Sequence, residues 1–284
     1  MITALIEPTF EDWRTRARLL LQQQVKPEEV HWSDTSQGPG LLHETAPGYA
    51  TNTALEIRVP KDFVALARQV CAHRDERRWA VLYRLLHRIV TGGERHLLQN
   101  PADVDTRQCQ AWAKAVGRDI HKTHAFVRFR LVGTQPETGR EQFVAWFEPE
   151  HRVLRLAAPF FEKRFAGMDW SILTPDECVN WDGHALTWMP GMKREDAPAE
   201  DAHDELWRTY YRSIFNPARL KVQAMQSEMP QKYWKNLPEA QVIPGLISGS
   251  EKRVNGMLDT PGRPLKPMPD NAYLKALHSR HRAE

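Results

Sequence analysis

Residues 126–147 read FVRFRLVGTQPETGREQFVAWF. Their apolar side chains recur at every second position, the period of a β-strand: Val127, Phe129 and Leu131 alternate with arginines. The stretch GTQPETG has the composition of a turn, and Phe143–Phe147 is the predicted returning strand. A β-hairpin is therefore predicted near the centre of the chain.

The segments before this hairpin have the helical apolar period of about 3.6 residues. Four helices are predicted there, beginning at Thr9, at Pro60, near Trp79 and near Val104, and the last of them ends at about His121. Thr9 is the predicted N-cap of the first helix, with Asp12 in capping-box spacing. A short strand, Ile2–Ile6, precedes it, and residues 33–53 have the Ser, Thr, Gly and Pro content of a loop.

The segments after the hairpin mix both periods. A helix is predicted at 151–165, followed by short strands at 170–174, 178–181 and 185–188. Asp182-Gly183 joins the last two strands and is typical of a hairpin turn. The predicted fold class is therefore α+β, with an antiparallel sheet of about five strands framed by helices and a helical C-terminal part.

Length and composition predict one folded domain. The chain has 284 residues, 41% of them hydrophobic and ten of them tryptophan. The predicted domain spans residues 1–258, and a Pro-rich tail follows at 259–284. Within the domain, residues 1–125 are predicted to be rich in helices, 126–190 to form the sheet and 200–258 to be helical. The cysteine count is three, an odd number that is typical of the reducing cytoplasm. The sequence has no apolar run of about 20 residues, so no membrane-spanning helix is predicted. A cytoplasmic protein is therefore predicted.

The sequence lacks the motifs of several enzyme classes. It contains no GxxxxGK[ST] loop, no GxGxxG after a strand, no GxSxG elbow and no zinc-deaminase signature. Its cysteines form no CxxC pair, so no metal or cofactor is predicted. The formal net charge is only +3, so nucleic-acid binding would require a local basic patch.

Such a patch is predicted within residues 207–239, WRTYYRSIFNPARLKVQAMQSEMPQKYWKNLPE. Between Arg208 and Lys235, six basic side chains stand against the single acid Glu228. Basic groups neutralise phosphates and aromatic rings stack on bases, so this mixture favours a nucleic-acid surface. A solvated face with an aromatic core side is the alternative that the sequence leaves open.

The same segment resembles a family described as probable DNA-metabolism proteins of unknown activity. Three other stretches resemble it too: residues 74–98 (RDERRWAVLYRLL…GERHLL), 113–130 (AKAVGRDIHKTHAFVRFR) and 143–175 (FVAWFEPEHRVLRLAAPFFEKRFAGMDWSILTP). Members of that family occur beside a radical SAM protein proposed to repair or modify DNA, or are fused ahead of a UdgX-type uracil-DNA glycosylase. The resemblance implies DNA and a radical SAM protein as partners. The 284 residues leave no room for a glycosylase domain, so uracil excision is not implied for this chain.

Two further groups of basic residues are candidate DNA contacts. Lys114, Arg118 and Lys122 fall on the helix face opposite its apolar stripe. Arg128 and Arg130 are predicted on one face of their strand, together with Phe126. The complete set of candidate nucleic-acid-binding residues is Lys114, Arg118, Lys122, Arg128, Arg130, Arg208, Tyr211, Arg212, Asn216, Arg219, Lys221, Lys232, Trp234 and Lys235.

A small His/Glu constellation is the candidate catalytic site. His121 and His124 lie where the long helix gives way to the strand, and Glu148 and His151 lie at a strand-to-helix junction. These four residues could provide acid–base or metal-assisted chemistry, or only structural contacts. The basic residues thus predict a DNA-binding protein, and the resemblance implies a role in DNA repair or base modification as an accessory partner of a radical SAM enzyme. The alternative is an enzyme that acts directly on damaged bases with the His/Glu site.

Overall fold

The computed structural model of the protein describes residues 1–35, 57–135, 138–196, 228–250 and 254. Its first part is a β-α-β unit: β1 (Ile2–Ile6) pairs in parallel with β2 (Val30–Asp34), and α1 (Phe10–Gln22) connects the two. The Oγ1 atom of Thr9 accepts a hydrogen bond from the backbone N of Asp12 at 3.2 Å, which confirms the predicted N-cap. Strand β2 is an addition to the prediction, because its alternation is too short to be distinguished from the adjoining loop by period alone.

Three helices pack on this unit: α2 (Lys61–Ala72), α3 (Arg78–Val90) and α4 (Val104–Phe126). The predicted end of α4 at His121 and the predicted strand from residue 126 are both wrong. The helix continues because its buried face continues through Asp119 and Thr123, and the backbone N of Val127 still donates to the carbonyl of Thr123. The alternation that starts at residue 126 therefore begins inside a helix.

The larger sheet has five strands in chain order: β3 (Arg130–Thr134), β4 (Glu141–Trp146), β5 (Asp169–Leu173), β6 (Glu177–Trp181) and β7 (Leu186–Pro190). The α+β class and the strand number are confirmed. The wholly antiparallel arrangement is wrong for one pair, because α5 (Leu154–Arg164) crosses from β4 to β5 and a helical crossover returns the chain in the same direction. The turn between β6 and β7 spans residues 182–185, since Trp181 pairs with Leu186.

The C-terminal part closes against α4 and the sheet. Two 3-10 helices, Gln231–Asn236 and Pro238–Val242, lead into α6 (Ile243–Ser248), which agrees with the predicted helical character of the C-terminal part. The rest of the predicted helical stretch 200–258, apart from residues 228–250 and 254, and the predicted tail 259–284 lie outside the described residues. Helix α4 joins two apolar cores: its first half packs with Trp13, Trp79 and Tyr83, and its last turns pack with the sheet. Across the described ranges, no helix combines the length and apolar character needed to cross a membrane.

Candidate nucleic-acid interface

A groove of about 720 Å³ runs along α4, where it borders α2 and the start of the C-terminal segment. We call it the α4 groove. Its cationic residues are Lys114, Arg118 and Lys122, His121 lies among them, and Glu228 is the one acidic residue among the described residues that line it. The structure therefore brings the predicted basic residues of α4 together with a candidate catalytic residue, His121, in one concave surface.

The helical period accounts for this alignment. Residues 114, 118, 121 and 122 recur at intervals of three and four, so they share one face of α4, while Trp112 and Val116 are buried on the other. Gly117 lies between the basic residues and lines the groove. A Cβ atom at Gly117 would meet no atom within 4 Å, so the groove is open at this position.

The basic side chains of the α4 groove are exposed or half-buried and form no ion pair with a carboxylate of the described residues. Lys114, Arg118 and His121 are exposed, and Lys122 is half-buried. Among the described residues, no carboxylate comes within ion-pair distance of Lys114, Arg118 or Lys122. Like charges three and four residues apart on a helix repel each other, so an anionic partner would stabilise this face.

A buried carboxylate lies directly beneath this face. Asp119 accepts hydrogen bonds from the backbone N of His151 (2.7 Å) and from the phenolic hydroxyl of Tyr233 (3.0 Å). Burial raises the pKa of Asp119, and the two hydrogen bonds oppose this effect. Burial also raises the pKa of Tyr233. Asp119 therefore holds the C-terminal segment against α4 and gives the groove its third wall.

Two of the predicted phosphate-binding lysines form ion pairs within the protein. Lys232 bonds to Glu150, and Lys235 bonds to Glu148, whose other oxygen accepts from the indole N of Trp146 at 2.9 Å. The hydrogen bond from Lys232 lowers the pKa of Glu150. Burial raises the pKa of Glu148, but the bonds from Lys235 and Trp146 outweigh burial and leave it lowered. Both lysines therefore fasten the C-terminal segment to the turn after β4.

The predicted strand face with Arg128, Arg130 and Phe126 has a different geometry. Phe126 ends α4, and its ring packs against Tyr233 with centroids 5.6 Å apart. Arg128 forms an ion pair with the buried Glu239 at 2.7 Å, and Arg130 is the half-buried first residue of β3. Trp234 donates its indole N–H to the carbonyl of Met229 at 3.0 Å. The Phe126 ring is therefore part of the core rather than part of an open stacking surface.

The four acid–base candidates occupy separate environments. His121 lies in the α4 groove, whereas His124 stacks on Phe160 with ring centroids 4.2 Å apart. Burial lowers the pKa of His124. His151 is buried against Asp119, and Glu148 is engaged by Trp146 and Lys235. In the part of the chain that the structure describes, no three His, Cys, Asp or Glu side chains form a group that could hold a metal ion.

The remaining candidates lie outside the described residues: Arg208, Tyr211, Arg212, Asn216, Arg219 and Lys221. Sequence reasoning also missed Asp119 and the role of Tyr233. The available signal was the position of Asp119, which falls on the same helix face as Trp112, Val116 and Thr123. A carboxylate on an otherwise buried helix face requires buried hydrogen-bond donors, and the sequence gives no sign of which segment supplies them.

Comparison with known proteins identifies one family. Residues 76–239 match a family described as a domain of unknown function, DUF4130. This range covers more than half of the chain, from α3 to the buried Glu239, and includes all of α4 and the larger sheet. No curated protein and no solved structure matches the chain.

Proposed function

Because the chain belongs to the DUF4130 family, whose description names no activity, we propose its function from its own surface: it binds DNA through the α4 groove. The observation that supports this proposal is the set of basic residues Lys114, Arg118, His121 and Lys122 on one concave face. Lys114, Arg118 and Lys122 form no ion pair with a carboxylate of the described residues. Other basic residues do: Arg74, Arg84, Arg88, Arg128, Arg140, Lys232 and Lys235.

The dimensions of the basic face suit a DNA backbone. Lys114 and Lys122 are separated by about 12 Å along the helix axis at about 1.5 Å per residue. A DNA strand carries one phosphate per about 3.4 Å of axis, so this distance spans about three phosphates. Among the residues that the structure describes, no Phe, Tyr or Trp side chain lines the groove. Single-strand binders stack bases on aromatic rings, so we propose contact with the backbone of duplex DNA and weak dependence on sequence.

We propose further that this binding serves DNA repair or base modification in the cytoplasm, with the protein as accessory partner of a radical SAM enzyme. The resemblance of the quoted motifs to the DNA-metabolism family supports the repair context and the partner. The three cysteines, all buried and unpaired, suit a reducing compartment. Co-purification tests this part of the proposal. It should show whether the chain associates with a radical SAM enzyme and whether that association depends on added DNA.

The DNA-binding proposal is tested with a matched pair of triple variants. One variant carries Lys114→Gln, Arg118→Gln and Lys122→Gln in the α4 groove. The control carries Arg95→Gln, Lys163→Gln and Arg164→Gln, three exposed basic residues outside the groove, so both variants lose the same formal charge. Fluorescence anisotropy with labelled duplex and single-stranded DNA is measured at several salt concentrations.

We expect the groove variant to bind duplex DNA at least about tenfold more weakly at low salt. The slope of the logarithm of the binding constant against the logarithm of the salt concentration should become shallower by about 2–3, since each phosphate contact contributes about 0.9 to it. The control should retain nearly the affinity of the natural protein. Equal losses in the two variants would mean that overall charge, rather than the α4 groove, attracts DNA. No DNA binding by the natural protein would refute the proposal.

A further inference from the structure

A second cavity, of about 540 Å³, lies on the other side of α2. We call it the interlayer cavity, because α1 and α2 form one wall and α5, β6 and β7 form the other. Helix α2 separates it from the α4 groove: Leu66 and Gln69 line the groove, whereas Arg68, Cys71 and Ala72 line the cavity. Its volume lies within the range of about 300–1,000 Å³ that is typical of small-molecule sites.

Each wall of the interlayer cavity carries an arginine stacked on an aromatic ring. On the helical wall, the guanidinium carbon of Arg68 lies 4.9 Å from the ring centroid of Phe10. On the sheet wall, that of Arg155 lies 4.5 Å from the ring centroid of Trp188. Planar cations and aromatic faces suit a ligand that combines a flat ring with a negative charge.

The third arginine, Arg152, has an unsatisfied buried donor. Its backbone N donates to the carbonyl of Ala72 at 2.9 Å, which fixes the residue between the two walls. Within the described ranges, its side-chain Nε is buried and has no hydrogen-bond partner. A buried guanidinium donor without an acceptor is costly. Arg152 as a whole is half-buried and lines the cavity, so an anionic group bound there would accept from its guanidinium.

The acidic residues around the cavity divide into two groups. Asp176 accepts a bidentate pair of hydrogen bonds from Arg74, and Glu177 accepts from Arg155 at 2.8 Å, so arginines neutralise both. Glu7 and Glu11 are exposed and lie on the helical wall. These two carboxylates oppose additional negative charge, so the cavity favours a single phosphate group over a triphosphate chain.

We propose that the interlayer cavity binds a nucleoside monophosphate group, with its phosphate at Arg152 and its base against Trp188. The group could belong to a free mononucleotide or to the phosphorylated end of a DNA strand, which offer the same phosphate and ring. The site does not depend on DNA binding at the α4 groove, because the two share no lining residue.

The test is calorimetric titration of the full chain with adenosine 5′-monophosphate, with adenosine, inorganic phosphate and adenosine triphosphate as comparison ligands. The monophosphate should bind at one site, and each comparison ligand should bind at least about tenfold more weakly, because each lacks one recognised group or adds repelled charge. No binding of the monophosphate would overturn the proposal. Equal binding of adenosine or of phosphate would overturn the role of Arg152 or of Trp188, respectively.

Variants place the ligand in the cavity. Arg152→Met and Trp188→Leu should each weaken monophosphate binding at least about tenfold. Arg164→Met is the control, since Arg164 ends α5, the helix that follows Arg152, and also contacts a ring, that of Phe165, but does not line the cavity. If Arg152→Met fails to fold, Arg68→Gln on the opposite wall replaces it. Unchanged binding in both Trp188→Leu and the arginine variant would overturn the assignment.

A competition experiment distinguishes a free mononucleotide from a DNA strand end as the ligand. A tetranucleotide with a 5′-phosphate is added to the natural protein loaded with the monophosphate. If the tetranucleotide displaces the monophosphate, and the Arg152→Met substitution weakens this displacement, a strand end is supported as the ligand. Failure to displace supports a free mononucleotide. The triple variant of the α4 groove should bind the monophosphate normally, so failure of the DNA proposal would not be mistaken for failure of this one.

Discussion

Tyr233 donates its phenolic hydrogen to Oδ1 of Asp119 over 3.0 Å, and both side chains are buried. The two residues are 114 positions apart in the chain. The other carboxylate oxygen of Asp119 accepts from the backbone N of His151 at 2.7 Å. One carboxylate thus joins α4, the turn before α5 and the C-terminal segment, and it positions the wall of the α4 groove from which Glu228 projects.

Tyr233→Phe should lower the free energy of unfolding by about 1–3 kcal/mol, because one oxygen of a buried carboxylate loses its donor. The ring remains, so its stacking on Phe147, with centroids 5.3 Å apart, is kept. Urea denaturation measures the loss. In the Asp119→Ala background, the same substitution should cost much less, and equal costs in both backgrounds would mean that the hydrogen bond contributes nothing.

The spacing of residues close together in the sequence predicted much of this fold. The features that were not predicted depend on contacts between residues far apart in the sequence. The N-cap at Thr9 and five sheet strands follow from spacing within a few residues. The direction of β5 depends on α5, and the environment of Lys232 depends on Glu150, 82 positions earlier. A basic residue has the same appearance in sequence whether it meets a phosphate or a carboxylate, so Lys232 could not be distinguished from Lys114.

Gly117 offers a pair of substitutions that separate stability from DNA binding. Gly117→Ala should raise the free energy of unfolding by about 0.5–1 kcal/mol, because glycine is a poor helix former and the added Cβ meets no atom within 4 Å. Gly117→Glu should fold as well as the natural chain but bind DNA at least about tenfold more weakly, since it places a carboxylate among the groove cations. Chemical denaturation and anisotropy on both variants check this. Normal DNA binding by Gly117→Glu would argue against the α4 groove as the interface.

Arg78 and Asp34 form an ion pair inside the helical part of the domain. Their side chains are 1% and 4% exposed, with Nη2 and Oδ2 2.9 Å apart, and Trp79 donates to the same oxygen at 3.0 Å. Arg78→Met should reduce the free energy of unfolding by about 3–5 kcal/mol, because it leaves a buried carboxylate without its cation.

The exposed Arg77 provides the matched control for this substitution. Its ion pair with Asp75 is on the surface, so Arg77→Met should change the free energy of unfolding far less than Arg78→Met does. Thermal and urea unfolding of the two variants give the comparison. A loss in Arg78→Met no larger than that in Arg77→Met would show that the buried pair adds no net stability.

Two histidines in contact make the stability depend on pH. The rings of His73 and His151 have centroids 4.2 Å apart. Burial and then His151 lower the pKa of His73 to about 4, and burial lowers the pKa of His151. Unfolding restores pKa values of about 6.5, so between about pH 6.5 and 4 the unfolded chain binds more protons than the folded chain. The stability from these neutral rings is complete above about pH 6.5 and is lost as the pH falls.

We expect His73 to account for about 1–2 kcal/mol of the loss between pH 7 and 4.5, a range that allows for its partial exposure. The raised pKa of Asp119 acts in the opposite direction, because it lets the folded chain keep a proton that the unfolded chain releases as the pH rises. His73→Phe, which keeps a ring beside Trp112, should remove much of the acid-side slope, whereas His96→Gln at an exposed position should not. The urea midpoint of unfolding is measured at four pH values for each chain. If the midpoint falls equally with pH in the natural chain and in His73→Phe, the His73–His151 contact does not control the acid sensitivity.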